Sequence, residues 1–431
     1  MSATPMAYIF ILILAVPAFS QPFRWGADLS FVPKLEHHGA VYSRSGYEQN
    51  VLEMFRAAGI DVVRIRLWHS PEEPWYGIDS VLALAERADA LGFEILIDIH
   101  YSDTWADPEH QTMPAAWQGL SYSQLLDSVY RYTNEVMIRF RDRGVFPESI
   151  QIGNEVGGGF LWEAGRVDGS PQQWTQFVAL LDTAIAGAKD SLPQPQWPKI
   201  IIHHQEGADS AACRWFFDNL TSRNVPFDII GLSYYPWWHG SLEDLSANLN
   251  DLSTRYNKEV SVVETAYPWM TGWCDTTGNI VGDHTPLLPL FPATPTGQAF
   301  FLLEIQERML NAPNVGIPLL CAWEPAWIPA DAFGSPWENL AFFDCEGNAV
   351  VTMNIFSGLA PTNLSITRIG NDIELRWNED ASLFYKIYAS DASGGPYNQL
   401  VGSTPDRSYL LPNEFGARQA RFFVVKGSPT P

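Results

Sequence analysis

Between residues 23 and 323 the chain repeats one alternation: a short apolar run, then a longer stretch with helical periodicity. The apolar runs are RWGADLS from Arg24, VVRIRLW from Val62, EILIDIHY from Glu94, SIQIGNE from Ser149, KIIIHH from Lys199, DIIGLSYY from Asp228, VSVVETAY from Val260 and GIPLLCAW from Gly316. Helical patterns separate them, over Glu48 to Ala58, Ser80 to Leu91, Ser123 to Arg143, Pro171 to Ser191, Asp209 to Arg223, Leu242 to Tyr256 and Gln298 to Leu310. The strand interiors are nearly continuously apolar, the pattern of strands buried on both faces, so the alternation predicts a parallel sheet covered by helices. Such units fit an α/β fold of the (β/α)8 TIM-barrel type, which typically takes about 250 residues, with the surplus here after the third and seventh strands. An open doubly wound sheet is the competing arrangement. No G-x-G-x-x-G follows the first strand, and Gly157-Gly158-Gly159 comes after a glutamate instead of opening a phosphate loop, so the barrel is favoured.

Around Ser357 the pattern changes to alternating apolar and polar residues with frequent turn signals, as in NLSITRIGNDIELRW and ARFFVVKG. That predicts a small C-terminal all-β sandwich, which resembles a fibronectin type III module in pattern. The predicted organisation is a signal peptide at 1–20, a (β/α)8 barrel at 22–357 and the sandwich at 359–427. The signal reading rests on the apolar run from Ala7 to Val16, too short to span a bilayer, and on small residues at Ala18 and Ser20. Its start lacks Lys and Arg, and an uncleaved anchor is the alternative. Export, to the extracellular space or a periplasm, is the expectation.

Charge narrows the partners. With 26 basic and 49 acidic side chains, the net charge of -23 repels nucleic acid and anionic membrane and points to a neutral ligand. A monomer with no membrane insertion after signal cleavage is expected. Four cysteines, Cys213, Cys274, Cys321 and Cys345, allow three pairings that spacing does not decide, and none has the CxxC spacing of a zinc site.

In a barrel the reacting groups stand at the C-terminal ends of the strands. Those ends carry Asp28, Arg66, Trp68, His100, Asp103, Trp105, Asn154, Glu155, His203, His204, Tyr234, Tyr235, Glu264, Trp323 and Glu324. Glu155 and Glu264 each close an apolar strand, on a rim rich in aromatic rings. Glycosidic cleavage asks for two carboxylates, one to protonate the leaving oxygen and one to attack the anomeric carbon or activate water. Aromatic faces, of which the chain's 17 tryptophans supply many, stack on sugar rings. Spacing derives hydrolysis but not its stereochemistry.

The blocks GADLSFV from Gly26, RIRLW from Arg64, DIHYSDTWADPEHQTMPAAW from Asp98, IQIGNEVGGGFLW from Ile150, DIIGLSYYPWWHG from Asp228 and VVETAYPW from Val262 occur in order. Together they resemble family 53 of the glycoside hydrolases, the endo-β-1,4-galactanases. The resemblance covers nearly the whole barrel and none of the sandwich. It implies a retaining double displacement on β-1,4-galactan, the neutral side chain of pectin. On that resemblance Glu155 is the acid/base and Glu264 the nucleophile, while Asn154 bonds the sugar hydroxyl beside the reacting carbon. Arg66 and Tyr234 would hold the nucleophile ionised and oriented. The chemistry agrees, because Glu264 must stay charged while Glu155 must start protonated.

His100 is expected to line the donor side of the cleft, and Asp28 and Asp103 to hold substrate hydroxyls or cap loops. Trp105, Trp237, Trp238, Trp269 and Trp323 are candidate sugar platforms, Trp323 foremost. No metal or cofactor is expected. Some members of the resembled family hold calcium near the insertion after the seventh strand, which here carries Asp275, Asn279, Asp283 and His284, but its spacing is no EF-hand. His37-His38 and His203-His204 lack a third ligand and read as rim or surface residues. Another neutral β-glycan, mannan or a β-glucan, is the alternative substrate, and a non-catalytic glycan-binding protein the alternative class.

Overall fold

Every residue of Val62–Leu67, Ile229–Tyr234 and Glu259–Thr265 is buried, as strands covered on both faces require. The computed structural model describes residues 22–313, 315–356 and six strand segments between 365 and 428. Eight strands close one barrel: β1 (Arg24–Asp28), β2 (Val62–Leu67), β3 (Glu94–Ile99), β4 (Ser149–Ile152), β5 (Lys199–His204), β6 (Ile229–Tyr234), β7 (Glu259–Thr265) and β8 (Leu319–Ala322). All neighbours are parallel, and β8 returns to pair with β1.

Between successive strands run α1 (Val51–Ala58), α2 (Ile78–Ala90), α3 (Tyr122–Asp142), α4 (Pro171–Asp190), α5 (Ser210–Ser222), α6 (Leu242–Tyr256) and α7 (Pro295–Asn311). All but α2 begin at a side-chain cap: Asn50, Ser121, Ser170, Asp209, Ser241 and Thr294 each accept from first-turn N–H groups. Each such cap stabilises its helix by about 1 kcal/mol. None of the described helices is long and apolar enough to cross a membrane.

Inside the barrel the side chains form layers. The N-terminal mouth is ionic, with Arg24 bonded to Glu94 and Glu259, and Lys199 to Glu259. Above it Val62, Leu96, Ile201, Ile229, Val263, Leu319 and Cys321 make a dry middle layer. The C-terminal layer is polar and carries the candidate site.

One local irregularity decides who enters that layer. Leu232 pairs with Val262 but Ser233 pairs with Glu264, so β7 holds one extra residue there. Strict alternation would send Glu264 outward with Val260 and Val262. The bulge lets Val263 and Glu264 both face the interior, a re-aiming that bulges perform near active sites.

Downstream, β9 (Ser365–Ile369), β10 (Asp372–Arg376) and β13 (Ser408–Leu411) form one antiparallel sheet, ordered β9-β10-β13. A second contains β11 (Phe384–Ser390), β12 (Gln399–Thr404) and β14 (Phe422–Ser428), ordered β12-β11-β14. The expected signal peptide at 1–20 and the predicted boundary between barrel and sandwich at 357–359 lie outside the described residues. Of the three cysteine pairings, the structure has Cys274 bonded to Cys345, with Cys213 and Cys321 buried as free thiols.

Candidate active site

The C-terminal ends of the strands bring Glu155 and Glu264 to one cleft of about 280 Å³, lined also by His100, Asn154, Tyr235, Trp105, Trp238 and Trp323. Gly153, at φ +77°, turns the chain off β4, and Glu155 itself takes a left-handed φ of 50°. A non-glycine residue in that region is held by its surroundings at some cost in strain, a recurrent feature of functional sites.

Arg64 is the hub beneath the cleft. Its Nη1 meets Asp28 Oδ2 at 2.7 Å, and its Nη2 meets Asp98 Oδ2 at 2.8 Å, Glu264 Oε1 at 2.8 Å and Asn154 Oδ1 at 2.9 Å. Burial opposes the charge on Arg64, but Asp98, Glu264 and Asp28 outweigh it and keep the guanidinium protonated. The second oxygen of Glu264 accepts from the Tyr235 hydroxyl at 3.3 Å. Glu155 has no cation in contact among the described residues; its Oε1 accepts from Ser233 at 2.7 Å. Burial and then the charge of Glu264 push the Glu155 pKa up. Burial raises Glu264 too, but Arg64 pulls against it. The two carboxyls therefore sit in unlike surroundings, one tied to a guanidinium and one to a hydroxyl, and proton affinity is the greater at Glu155.

Several expected roles fall to neighbouring residues. Arg66 does not contact Glu264; its Nη1 pairs with buried Glu324 at 3.3 Å, and its head lies among Phe31, Trp68, Tyr76 and Trp105. Both arginines point inward on β2, and Arg64, one layer deeper, lies level with Glu264. Tyr234 does not contact Glu264 either. With Ser233 facing inward, Tyr234 faces the helices, stacks on Phe301 and donates to Gly240 O at 2.9 Å; Tyr235 takes the inward place. Asp28 is fully buried, bonded to Arg64 and Ser30, and does not reach the cleft. Asp103 caps loops, accepting from Ser70 N and Ala115 N, and lines a neighbouring groove. Trp237 and Trp269 are not in the cleft wall, whereas Trp327 and Trp337 are.

His203 and His204 are buried, not rim residues, because β5 continues through both. His203 faces the site and His204 packs on Phe216. His100 lines the cleft, its Nε2 on Asp98 at 3.0 Å, with Trp68 Nε1 and Ala106 N donating to Nδ1. Sequence reasoning named Tyr235 and His203 without roles and passed over Arg64, Asp98, Gln151 and Ser233. The period-two count inward from Arg66, His100 and Tyr235 was the available signal for Arg64, Asp98 and Ser233.

The insertion after β7 does not make a calcium shell, which takes about six to eight oxygens. Asn279 Oδ1 and Glu338 Oε2 are buried without partners, but Asp275 spends its oxygens on Thr277 N and Ser335 N. Asp283 and His284 are exposed, and no cluster of three acidic, His or Cys ligands occurs among the described residues. No step below runs through a metal.

Comparison with known proteins gives the same address. The pattern described as Glycosyl hydrolase family 53 matches residues 24–356. The chain is 35% identical over 367 residues to an arabinogalactan endo-β-1,4-galactanase of Cellvibrio japonicus, covering 81% of this chain and 96% of that protein. It is similar in structure to a fungal β-1,4-galactanase, at TM-score 0.69 and 33% identity over 78% of this chain and 99% of the other. A family 53 catalytic domain from Ignisphaera aggregans gives TM-score 0.70 and 32% identity, over 81% of this chain and 99% of its own.

Proposed function

The chain belongs to glycosyl hydrolase family 53 and is a glycoside hydrolase, and from that premise we propose that it is a secreted, retaining endo-galactanase acting on β-1,4-galactan side chains of pectin. The observation that carries the reading is the unlike setting of two glutamates in one aromatic cleft. Glu264, held on the Arg64 guanidinium, is the nucleophile; Glu155, raised by burial and by Glu264, is the acid/base.

Glu155 gives its proton to the glycosidic oxygen while Glu264 attacks the anomeric carbon, and the leaving sugar departs with that proton. Water then attacks the glycosyl-enzyme, Glu155 takes the water's proton, and Glu264 leaves as a carboxylate. Arg64 and Tyr235 hold Glu264 against its burial. Asn154, turned by its bonds to Arg64 and Ala106 O, stands beside the reacting carbon. Trp105, Trp238 and Trp323 offer apolar faces to successive sugars. On this reading residues 1–20 export the chain, 22–357 act as a monomeric barrel, and 359–427 form an appended fibronectin-like module.

Reducing-sugar release from purified β-1,4-galactan tests the substrate, and proton NMR of the first-formed anomer tests retention. Activity on mannan or β-glucan but not galactan overturns the substrate alone. An α-anomer formed first overturns the double displacement. Silence on every glycan from folded protein overturns the enzyme.

A further inference from the structure

Behind Glu155 stands a buried polar chain with no part in the reaction as described so far. Ser233 donates to Glu155 Oε1 at 2.7 Å, and Ser233 Oγ lies 2.8 Å from His203 Nε2. Ser233 and His203 have no exposed surface. The hydrogen positions follow from the partners of Nδ1. The Glu155 N–H donates to it at 3.3 Å, and Gln151 Nε2 lies 3.1 Å away. The Gln151 amide is oriented by its donation to Asp98 at 2.6 Å. Asn154 Oδ1, also 2.9 Å from Nδ1, accepts from Arg64 at 2.9 Å and from Gln151 Nε2 at 3.1 Å, which fills its two lone pairs. Burial, with Arg64 adding to it, holds the His203 pKa well below its ordinary value, so the ring is neutral with a single N–H. With the Glu155 N–H donating to Nδ1 and the lone pairs of Asn154 Oδ1 filled, that hydrogen sits on Nε2, where it is donated to Ser233 Oγ.

We propose that Ser233, held by His203, occupies Oε1 of Glu155 and so directs the acid proton to Oε2, the carboxyl oxygen left free for substrate. The inference rests on the reading of Glu155 as the acid/base. In the first step the proton leaves Oε2 for the glycosidic oxygen as that C–O bond breaks, and the new carboxylate keeps its bond from Ser233. In the second step Oε2 takes the proton of the attacking water. Ser233 keeps its own proton throughout and is a positioning residue. Other groups set the background: Glu264, Arg64, Asp107 and Tyr235 around Glu155, and Arg64, His204, His100 and His239 around His203. Among the described residues Ser233 is the side chain that donates to the Glu155 carboxyl.

The test compares kcat/KM against pH for wild type and Ser233→Ala, on galactan and on a dinitrophenyl β-galactobioside whose leaving group needs no proton. Losing a charge-assisted bond favours the protonated form, so the alkaline limb on galactan moves up by about half to one pH unit in Ser233→Ala. At the optimum, galactan kcat/KM falls about tenfold while the aryl substrate changes less than about twofold, since acid catalysis matters only to the first. Superimposable profiles, or equal losses on both substrates, overturn the proposal. Glu155→Ala run beside it separates the two readings: if that variant still cleaves galactan, the acid/base assignment itself is what failed. Nitrogen-15 NMR of the wild type, with His203 assigned by its loss in His203→Gln, reads the tautomer independently of any folding defect. A neutral Nε2–H ring is expected, and an Nδ1–H ring or an imidazolium at neutral pH overturns the proposal.

Discussion

Glu259 and Glu264 sit near the two ends of strand β7, and their surroundings are opposite in balance. At the N-terminal mouth Glu259 accepts from Arg24 at 2.6 Å and Lys199 at 3.1 Å, and Arg24 also meets Glu94, so two cations answer two carboxylates. At the C-terminal mouth a single guanidinium, Arg64, is shared among Glu264, Asp28 and Asp98, with Glu155 beyond its contact. One end of the barrel neutralises its charge for stability; the other leaves negative charge in excess, where each carboxylate raises the proton affinity of the next. On the proposed function the same strand carries a structural glutamate and a reactive one, and the difference lies in what faces them.

The comparison breaks most sharply on activity. Glu264→Gln and Glu155→Gln are each expected to lose about a thousandfold or more in kcat on galactan, as for groups acting in the transition state. Glu259→Gln should keep kcat within about twofold and instead lower the thermal midpoint, at a stability cost of about 1–3 kcal/mol for a half-emptied buried network. Reducing-sugar assays beside thermal melts decide this. Equal activity losses at the two ends would erase the distinction.

Next in size is the pair of arginines. Arg64→Met should cost about 3–5 kcal/mol in stability, because it strands buried carboxylates. Since Arg64 holds the Glu264 pKa down, its removal shifts the acidic limb of kcat/KM to higher pH. Arg66→Met should leave that limb in place, as Arg66 answers Glu324. A smaller effect separates the tyrosines: Tyr235→Phe should lower kcat about tenfold, some 1.4 kcal/mol of transition-state stabilisation, and Tyr234→Phe less than twofold.

The smallest effect is on stability against pH. Glu155 and Glu264 both have folded pKa values raised by burial, so the folded state binds more protons than the unfolded chain above about pH 4.3, the ordinary glutamate value. Stability contributed by these groups is then greatest below that pH and is lost as pH rises through their raised values. The thermal midpoint should fall from mildly acidic toward alkaline pH, and Glu155→Gln should flatten that slope. An unchanged slope in the variant would show that the proton affinity at this mouth lies elsewhere.

Much of the architecture was legible. Near-continuous apolar strands and intervening helical periods carry the parallel barrel, because burial on both faces leaves that signature in composition. The two glutamates were legible too, as carboxylates that end apolar strands. What failed was the assignment of their partners. Arg64 and Arg66 share one strand face, and no local pattern says which lies level with a residue on β7. Tyr234 and Tyr235 differ only in parity, which depends on where the strand stops alternating. Asp28 looked available at a strand end, yet Arg64 and Ser30 close over it.

The sequence by itself determined the eight-fold alternation, the polar ends of the strands and the family, since these rest on residue type and spacing along the chain. Only the tertiary structure decided that Arg64 and Tyr235 contact Glu264, that Ser233 donates to Glu155, and that Cys274 pairs with Cys345. The physical reason is the extra residue in β7: one bulge reverses side-chain direction at Glu264, and pairing across a closed barrel depends on such registers, not on local propensity.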